Sequence, residues 1–138
     1  MKKGVVLAAI TAAVCLDGSA AGLPEVIGRT CRIDTRDEWH GGARIVFEYR
    51  GCETWVVEPK KPRRGKPWVW IMEWPGAYAE RTGVPALLKA GFYIVTFRPG
   101  FYEVKNGKRE FQSRPGNMND KRVAESREFQ RYVVNVLG

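Results

Sequence analysis

Few side chains in this sequence are suited to metal binding or to acid–base catalysis. The chain has one histidine, His40, and three cysteines, Cys15, Cys31 and Cys52, and it contains no C-x-x-C pair. A structural or catalytic metal site usually needs three or four such ligands at close spacing. The sequence therefore predicts no metal ion and no cofactor.

The tripeptide His40-Gly41-Gly42 has a composition that can form an oxyanion hole when it follows a buried strand. Here the polar run 37–39 (Asp-Glu-Trp) precedes it, and a predicted strand follows it. The sequence therefore predicts a surface turn that carries a lone histidine.

Residues 1–21 have the three-part pattern of a secretory signal peptide. Lys2 and Lys3 precede an apolar run from Val5 to Leu16, and Ser19 and Ala21 are the small residues of a cleavage site. The run is shorter than the roughly 20 residues of a membrane-spanning helix. The pattern predicts export to the periplasm or the extracellular space without stable membrane insertion.

Two other interpretations of the N-terminal segment stay open: a buried N-terminal element, and a lipoprotein signal with Cys15 as the lipidated residue. Val14 is larger than the residue expected before a lipidated cysteine. After cleavage, Cys31 and Cys52 would remain in an oxidising compartment, where they could form a disulfide bond. Two separate buried thiols are the alternative, because the sequence does not give the distance between the Cα atoms.

The composition is that of a folded domain with an excess of positive charge. The 138 residues are 44% hydrophobic, and 23 Lys and Arg against 15 Asp and Glu give a net charge of +8. The basic tract 60–66 (KKPRRGK) could contact phosphate groups. Pro62 and Gly65 favour a solvated turn, and basic residues elsewhere alternate with acidic ones, so we predict no nucleic-acid partner.

The tryptophans suggest a different binding function. They are Trp39, Trp55, Trp68, Trp70 and Trp74. Tryptophan rings can stack on sugar rings, as in carbohydrate-binding modules. Trp68 and Trp70 lie in an apolar run, where core packing is the ordinary role of tryptophan. Only Trp39 and Trp74 are therefore candidate exposed platforms.

Apolar periodicity predicts a mixed α/β organisation. Segments 44–50 and 54–57 alternate as an antiparallel hairpin, and 68–72 is apolar on both faces, as in a central strand. Segment 92–97 predicts another buried strand. Residues 98–119 predict either a small hairpin around Asn106-Gly107 or a mobile loop over a site.

Two helices are predicted between and after these strands. Val84, Leu87 and Leu88 have helical spacing, and Gly91 followed by Phe92 fits a Schellman cap. The second helix starts at Asn119 or Asp120 as its cap. Its predicted apolar face consists of Phe129, Tyr132, Val133, Val136 and Leu137.

Three motifs give the chain a family resemblance. Residues 65–70 (GKPWVW), 74–76 (WPG) and 86–92 (ALLKAGF) resemble the N-terminal half of secreted bacterial α/β-hydrolase-fold proteins of an esterase-like branch. The resemblance covers about residues 43–138. It implies an α/β fold: a partial α/β-hydrolase-type mixed sheet with an antiparallel N-terminal hairpin and two flanking helices. Residues 1–21 would then be the signal peptide and 22–42 a lead segment.

The resemblance implies acyl transfer by a serine, an acid and a histidine, in that chain order. The serines are Ser19, Ser113 and Ser126, and none lies in G-x-S-x-G. His40 precedes Ser113 and Ser126, which is the wrong order. No catalytic residue is therefore predicted.

The resemblance assigns one further part of the hydrolase site. Gly76 and Ala77 follow the strand whose next loop supplies an oxyanion-hole N–H group in that family.

These observations predict a fragment or truncated member of an exported α/β-hydrolase family. The complete family domain would take a small ester-type substrate and hydrolyse a carboxylic ester or a related acyl group. The chain itself is expected to be inactive alone. The alternative is a secreted carbohydrate-binding or structural domain without catalysis.

Overall fold

The computed structural model describes residues 21–72, 74–114 and 119–138. The predicted signal peptide, apart from Ala21, lies outside the described residues, as does Cys15. In chain order the elements are α1 (Leu23–Gly28), β1 (Arg32–Trp39), β2 (Gly42–Tyr49), β3 (Cys52–Pro59), β4 (Trp68–Trp70), α2 (Val84–Lys89), β5 (Tyr93–Arg98), β6 (Gly100–Lys105), β7 (Lys108–Ser113), α3 (Asp120–Tyr132) and a π-helical turn (Val133–Leu137).

Five of these strands form one mixed sheet in the order β1-β2-β3-β5-β4. Neighbouring strands are antiparallel except β4 and β5, which are parallel, and β6 pairs with β7 in a separate two-stranded sheet. Strands hold 40% of the described residues and helices 27%.

The predicted fold class is therefore wrong, because the molecule is mostly β-sheet with few helices and shows no α/β-hydrolase fold. The difference has two physical sources. The polar segment Arg32–Trp39 pairs with β2 as an additional antiparallel strand. The sequence allowed either a hairpin or a loop in residues 98–119, and the stretch 100–113 forms a second sheet.

The antiparallel hairpins close with two-residue turns that need a left-handed backbone. His40 and Gly41 have φ of +48° and +84°, and Asn106 and Gly107 have φ of +51° and +75°. Two positive φ angles match the right-handed twist of the strands that such turns join. The predicted surface turn at His40 and the hairpin around Asn106-Gly107 are both confirmed.

The strand predictions succeed in the middle of the sheet and fail at its edge. The antiparallel hairpin of β2 and β3 is confirmed, and β5 is buried over most of its length. The predicted central strand 68–72 shortens to Trp68–Trp70 and is the outermost strand on its side of the described sheet.

The two faces of the sheet carry separate apolar clusters. One cluster joins β2, β3 and β5 to α1, to α3 and to the π-helical turn, with Phe47, Phe97 and Phe129 at its centre. The other joins β3 and β5 to α2 through Val57, Ile94 and Leu88. The sheet is thus covered by helices on both faces.

Helix α3 begins as predicted but ends with a changed periodicity. The side chain of Asn119 accepts a hydrogen bond from Arg122 N at 3.0 Å, which confirms the predicted cap. At the other end Gly138 N donates to Val133 O at 3.0 Å, five residues earlier. This wider turn rotates the last residues, so Leu137 is buried while Val136 is 37% exposed.

The predicted Schellman cap of α2 is confirmed. Gly91 N donates to Leu88 O and Phe92 N to Leu87 O, both at 3.0 Å. Gly91 has φ of +87°, a conformation that glycine adopts without the cost paid by other residues. The cap directs the chain from α2 straight into β5.

Candidate functional site

A cleft of about 400 Å³ lies where β5 ends. Trp55 of β3 and Arg98 at the end of β5 contribute two of its lining residues. The segment after β4 supplies an apolar wall that includes Trp74 and Pro75. The lining also includes Ser113 and Arg114 at the end of β7 and Arg122 in the first turn of α3.

Three arginines converge on this cleft. Arg98 forms an ion pair with Glu53. Within the described part of the chain, no carboxylate lies within salt-bridge distance of Arg114 or Arg122. A side-chain nitrogen of Arg122 instead donates to the carbonyl oxygen of Arg114. The cleft therefore has two cationic groups that described acidic side chains do not neutralise.

Trp55 is held rigidly at the cleft by its neighbours. Its Nε1 donates to Glu53 Oε1 at 3.2 Å, and the Arg44 guanidinium carbon lies 4.5 Å from its ring centroid. Trp39 packs edge-on against it, with ring centroids 5.7 Å apart. Arg44 in turn donates to Asp37, and this hydrogen bond lowers the pKa of the Asp37 carboxyl group.

Trp74 is placed differently, because its side chain points to solvent. It is 63% exposed and has φ of +52°, a backbone conformation that bulky residues rarely adopt. Ala77 N donates to Trp74 O at 3.1 Å and closes the turn. Of the two predicted platforms, Trp74 is exposed, whereas Trp39 is half-buried against Trp55.

The predicted oxyanion-hole residues Gly76 and Ala77 both line the cleft, together with Ser113. The Ala77 N–H is already engaged by Trp74 O, so an oxyanion would have to displace that bond. His40 does not line the cleft. It lies on the turn between β1 and β2, and its Nδ1 is 3.5 Å from Glu80 Oε1. The structure thus brings Ser113 to the cleft without the histidine.

Cys31 and Cys52 are both free thiols in the structure. Cys52 pairs with Tyr49 across β2 and β3, and Cys31 directly precedes β1 on the other side of β2. A disulfide bond between these two cysteines stays a prediction. Burial raises the pKa of the Cys52 thiol, which keeps it in its unreactive form.

The hairpin of β6 and β7 is anchored to the main sheet by a polar cluster that the sequence did not reveal. Tyr102 OH donates to Asp34 Oδ2 at 2.9 Å, and Arg109 binds both Asp34 and Glu48. The Arg109 guanidinium carbon lies 3.5 Å from the Tyr102 ring centroid. Tyr102 lies in the middle of β6 and Arg109 lies one residue pair from the turn, so these contacts hold the hairpin against β1 and β2.

The cleft arginines were also missed by sequence reasoning. They are far apart in the chain, and only the position of Arg98 at the end of a buried strand gave a signal. Among the described residues no group of three or more His, Cys, Asp or Glu is placed to hold a metal ion. In the same part of the chain, no single helix is both long enough and apolar enough to cross a membrane.

Comparison of the chain with known protein families, with curated proteins and with solved structures finds no match.

Proposed function

We propose that this protein is a binding domain whose cleft holds a small molecule bearing a carboxylate or phosphate group. The observation that carries the proposal is the convergence of Arg98, Arg114 and Arg122 on one cavity with apolar walls. Its volume of about 400 Å³ falls in the usual range for small-molecule sites.

The arginines suit such a ligand for a geometric reason. A guanidinium group presents parallel N–H donors that match the two oxygens of a carboxylate or phosphate. Arg98 is partly neutralised by Glu53, so Arg114 and Arg122 are the main anion-binding groups. Trp55 and Pro75 would contact the apolar part of the ligand and exclude water.

A binding experiment tests this proposal. Tryptophan fluorescence and calorimetry would follow titration with small carboxylates and with inorganic phosphate. Loss of one charge-assisted hydrogen bond costs about 1.5–3 kcal/mol, so Arg114→Ala and Arg122→Ala should each weaken binding roughly tenfold or more.

Arg64→Ala is the matched control, because Arg64 is an exposed arginine in the turn 60–66, away from the cleft. It removes the same charge and should change the affinity less than about twofold. Equal losses in all three variants would show that net charge, and not the cleft, attracts the anion. Circular dichroism would verify that each variant is folded.

Hydrolysis of a carboxylic ester is a second candidate, favoured by the presence of Ser113, Gly76 and Ala77 in one cleft. A serine nucleophile needs a neighbouring base to accept its proton, and the described lining contains none. We therefore expect no cleavage of a p-nitrophenyl ester above the uncatalysed rate. Turnover that disappears in Ser113→Ala would favour hydrolysis over simple binding.

A further inference from the structure

We infer that the ligand of this cleft is an acidic sugar, with its ring stacked on Trp74 and its carboxylate bound by Arg114 and Arg122. The inference rests on the proposed anion-binding function and names the class of molecule that carries the anion.

The placement of Trp74 is costly for folding. A tryptophan that is 63% exposed leaves a large apolar ring in water, although burial of such a ring is strongly favourable. Its φ of +52° adds backbone strain, which often marks residues that serve a function. An exposed ring at the edge of a cationic cleft is well suited to contact a ligand.

The exposure of Trp74 also restricts the chemistry of the ligand. A group seated on this ring is covered on one face and stays in water on the other. An aromatic or aliphatic body would bury only one of its two apolar faces here and would gain only part of its hydrophobic free energy. A pyranose ring has an apolar C–H face for the tryptophan and hydroxyl groups around its rim for water. Sugar therefore fits this position better than a hydrocarbon.

The remaining lining residues match the rest of such a ligand. Arg114 and Arg122 supply a positively charged wall for a carboxylate substituent. The Ser113 side chain is exposed in the same cleft and can bind a sugar hydroxyl. The single cluster of cations suits one acidic ring, whereas a nucleic acid would contact a longer track of phosphates.

A second exposed aromatic residue follows Trp74 closely in the sequence. Tyr78 is also an exposed aromatic residue, and the Arg81 guanidinium carbon lies 5.8 Å from its ring centroid. An aromatic ring beside a cation therefore recurs four residues after Trp74. This favours an acidic sugar within a chain over a free sugar acid.

The test uses the full chain and calorimetric titration with six ligands: trigalacturonate, galacturonate, maltotriose, tripolyphosphate, 2-naphthoate and an oligothymidylate. We expect trigalacturonate to bind about tenfold or more tightly than neutral maltotriose at low salt. Tighter binding of trigalacturonate than of galacturonate would indicate that the ligand is part of a sugar chain. Equal binding of the two would indicate that the ligand is a free sugar acid. Stronger binding of 2-naphthoate or of an oligothymidylate than of trigalacturonate would overturn the inference.

Variants separate the sugar inference from the anion proposal. Trp74→Ala should weaken trigalacturonate binding about tenfold and tripolyphosphate binding less than twofold. Trp74→Tyr should restore most of the trigalacturonate affinity, because it keeps a flat ring. Val104→Ala, which alters an exposed residue at the hairpin tip, is the control.

The two proposals fail in different ways. If Arg114→Ala abolishes tripolyphosphate binding but Trp74→Ala leaves trigalacturonate binding unchanged, the anion site stands and the sugar inference is wrong. If Arg114→Ala changes neither affinity, the anion-binding proposal itself is wrong.

Discussion

The buried side chain of Tyr93 makes the stability of the folded sheet depend on pH. Its hydroxyl donates to Glu58 Oε1 at 3.2 Å, which joins β5 to β3. Burial raises the pKa of Tyr93 to about 12 from its ordinary value of 10, and the Glu58 charge adds to the effect. The folded state therefore keeps the phenol proton at pH values where the unfolded chain loses it.

This linkage predicts loss of stability in alkali. The contribution of Tyr93 is complete below pH 10 and disappears as the pH rises toward 12, at up to about 1.4 kcal/mol per pH unit. Urea unfolding at a series of pH values would measure it, and Tyr93→Phe should make the decline less steep. Tyr78→Phe is the control, because its ring is exposed. An unchanged slope in Tyr93→Phe would contradict the assignment.

The residue scale also shows what local sequence can and cannot predict. The Asn119 cap was predictable, because the capping residue and the amide it binds are three positions apart. The cleft arginines were not, because Arg98, Arg114 and Arg122 meet only after two sheets and a helix have assembled. Trp74 was a candidate platform, but its exposure depends on a left-handed turn that composition does not indicate.

Helices and strands were predictable where their apolar spacing is regular. The alternation in β2 and the cap of α2 predicted both elements. Strand β1 was missed because six of its eight residues are exposed and its sequence, RIDTRDEW, lacks an apolar alternation. Its partner β2, and not its own composition, makes it a strand. The end of α3 was misjudged because a π-helical turn replaces the regular period.

The cap of α2 supports a prediction at the element scale. Gly91 and Gly83 have positive φ angles of +87° and +73°, but a Cβ atom on Gly91 would lie 2.7 Å from Lys61 O. A Cβ atom on Gly83 would meet nothing within 4 Å. Gly83→Ala therefore adds only the left-handed strain of about 1–2 kcal/mol. Gly91→Ala adds a clash with backbone as well.

We expect Gly91→Ala to lower the free energy of unfolding by at least about 1 kcal/mol more than Gly83→Ala. Chemical denaturation of the two variants beside the parent protein would measure the difference. Similar losses would show that the segment 61–63 can move away, and that α2 is less firmly fixed to its surroundings than the structure indicates.

At the scale of the whole molecule, the two outer strands of the described sheet differ in chemistry. β1 exposes charged residues along its length, including Arg32, Arg36 and Glu38. Such charges prevent a strand from pairing with a neighbouring molecule. β4 has the sequence Trp-Val-Trp, and Met72, two residues after it, is 46% exposed. Intermolecular pairing should therefore begin at β4.

A charge beside β4 tests this difference. Met72→Lys should reduce concentration-dependent association by about tenfold in light scattering or sedimentation, because a solvated ammonium group opposes pairing at the apolar edge. Val104→Lys makes the same kind of change at the 72% exposed tip of the hairpin and should leave association nearly unchanged. An equal reduction in both variants would mean that added net charge alone keeps the molecules apart. The sheet edge would then have no special role in association.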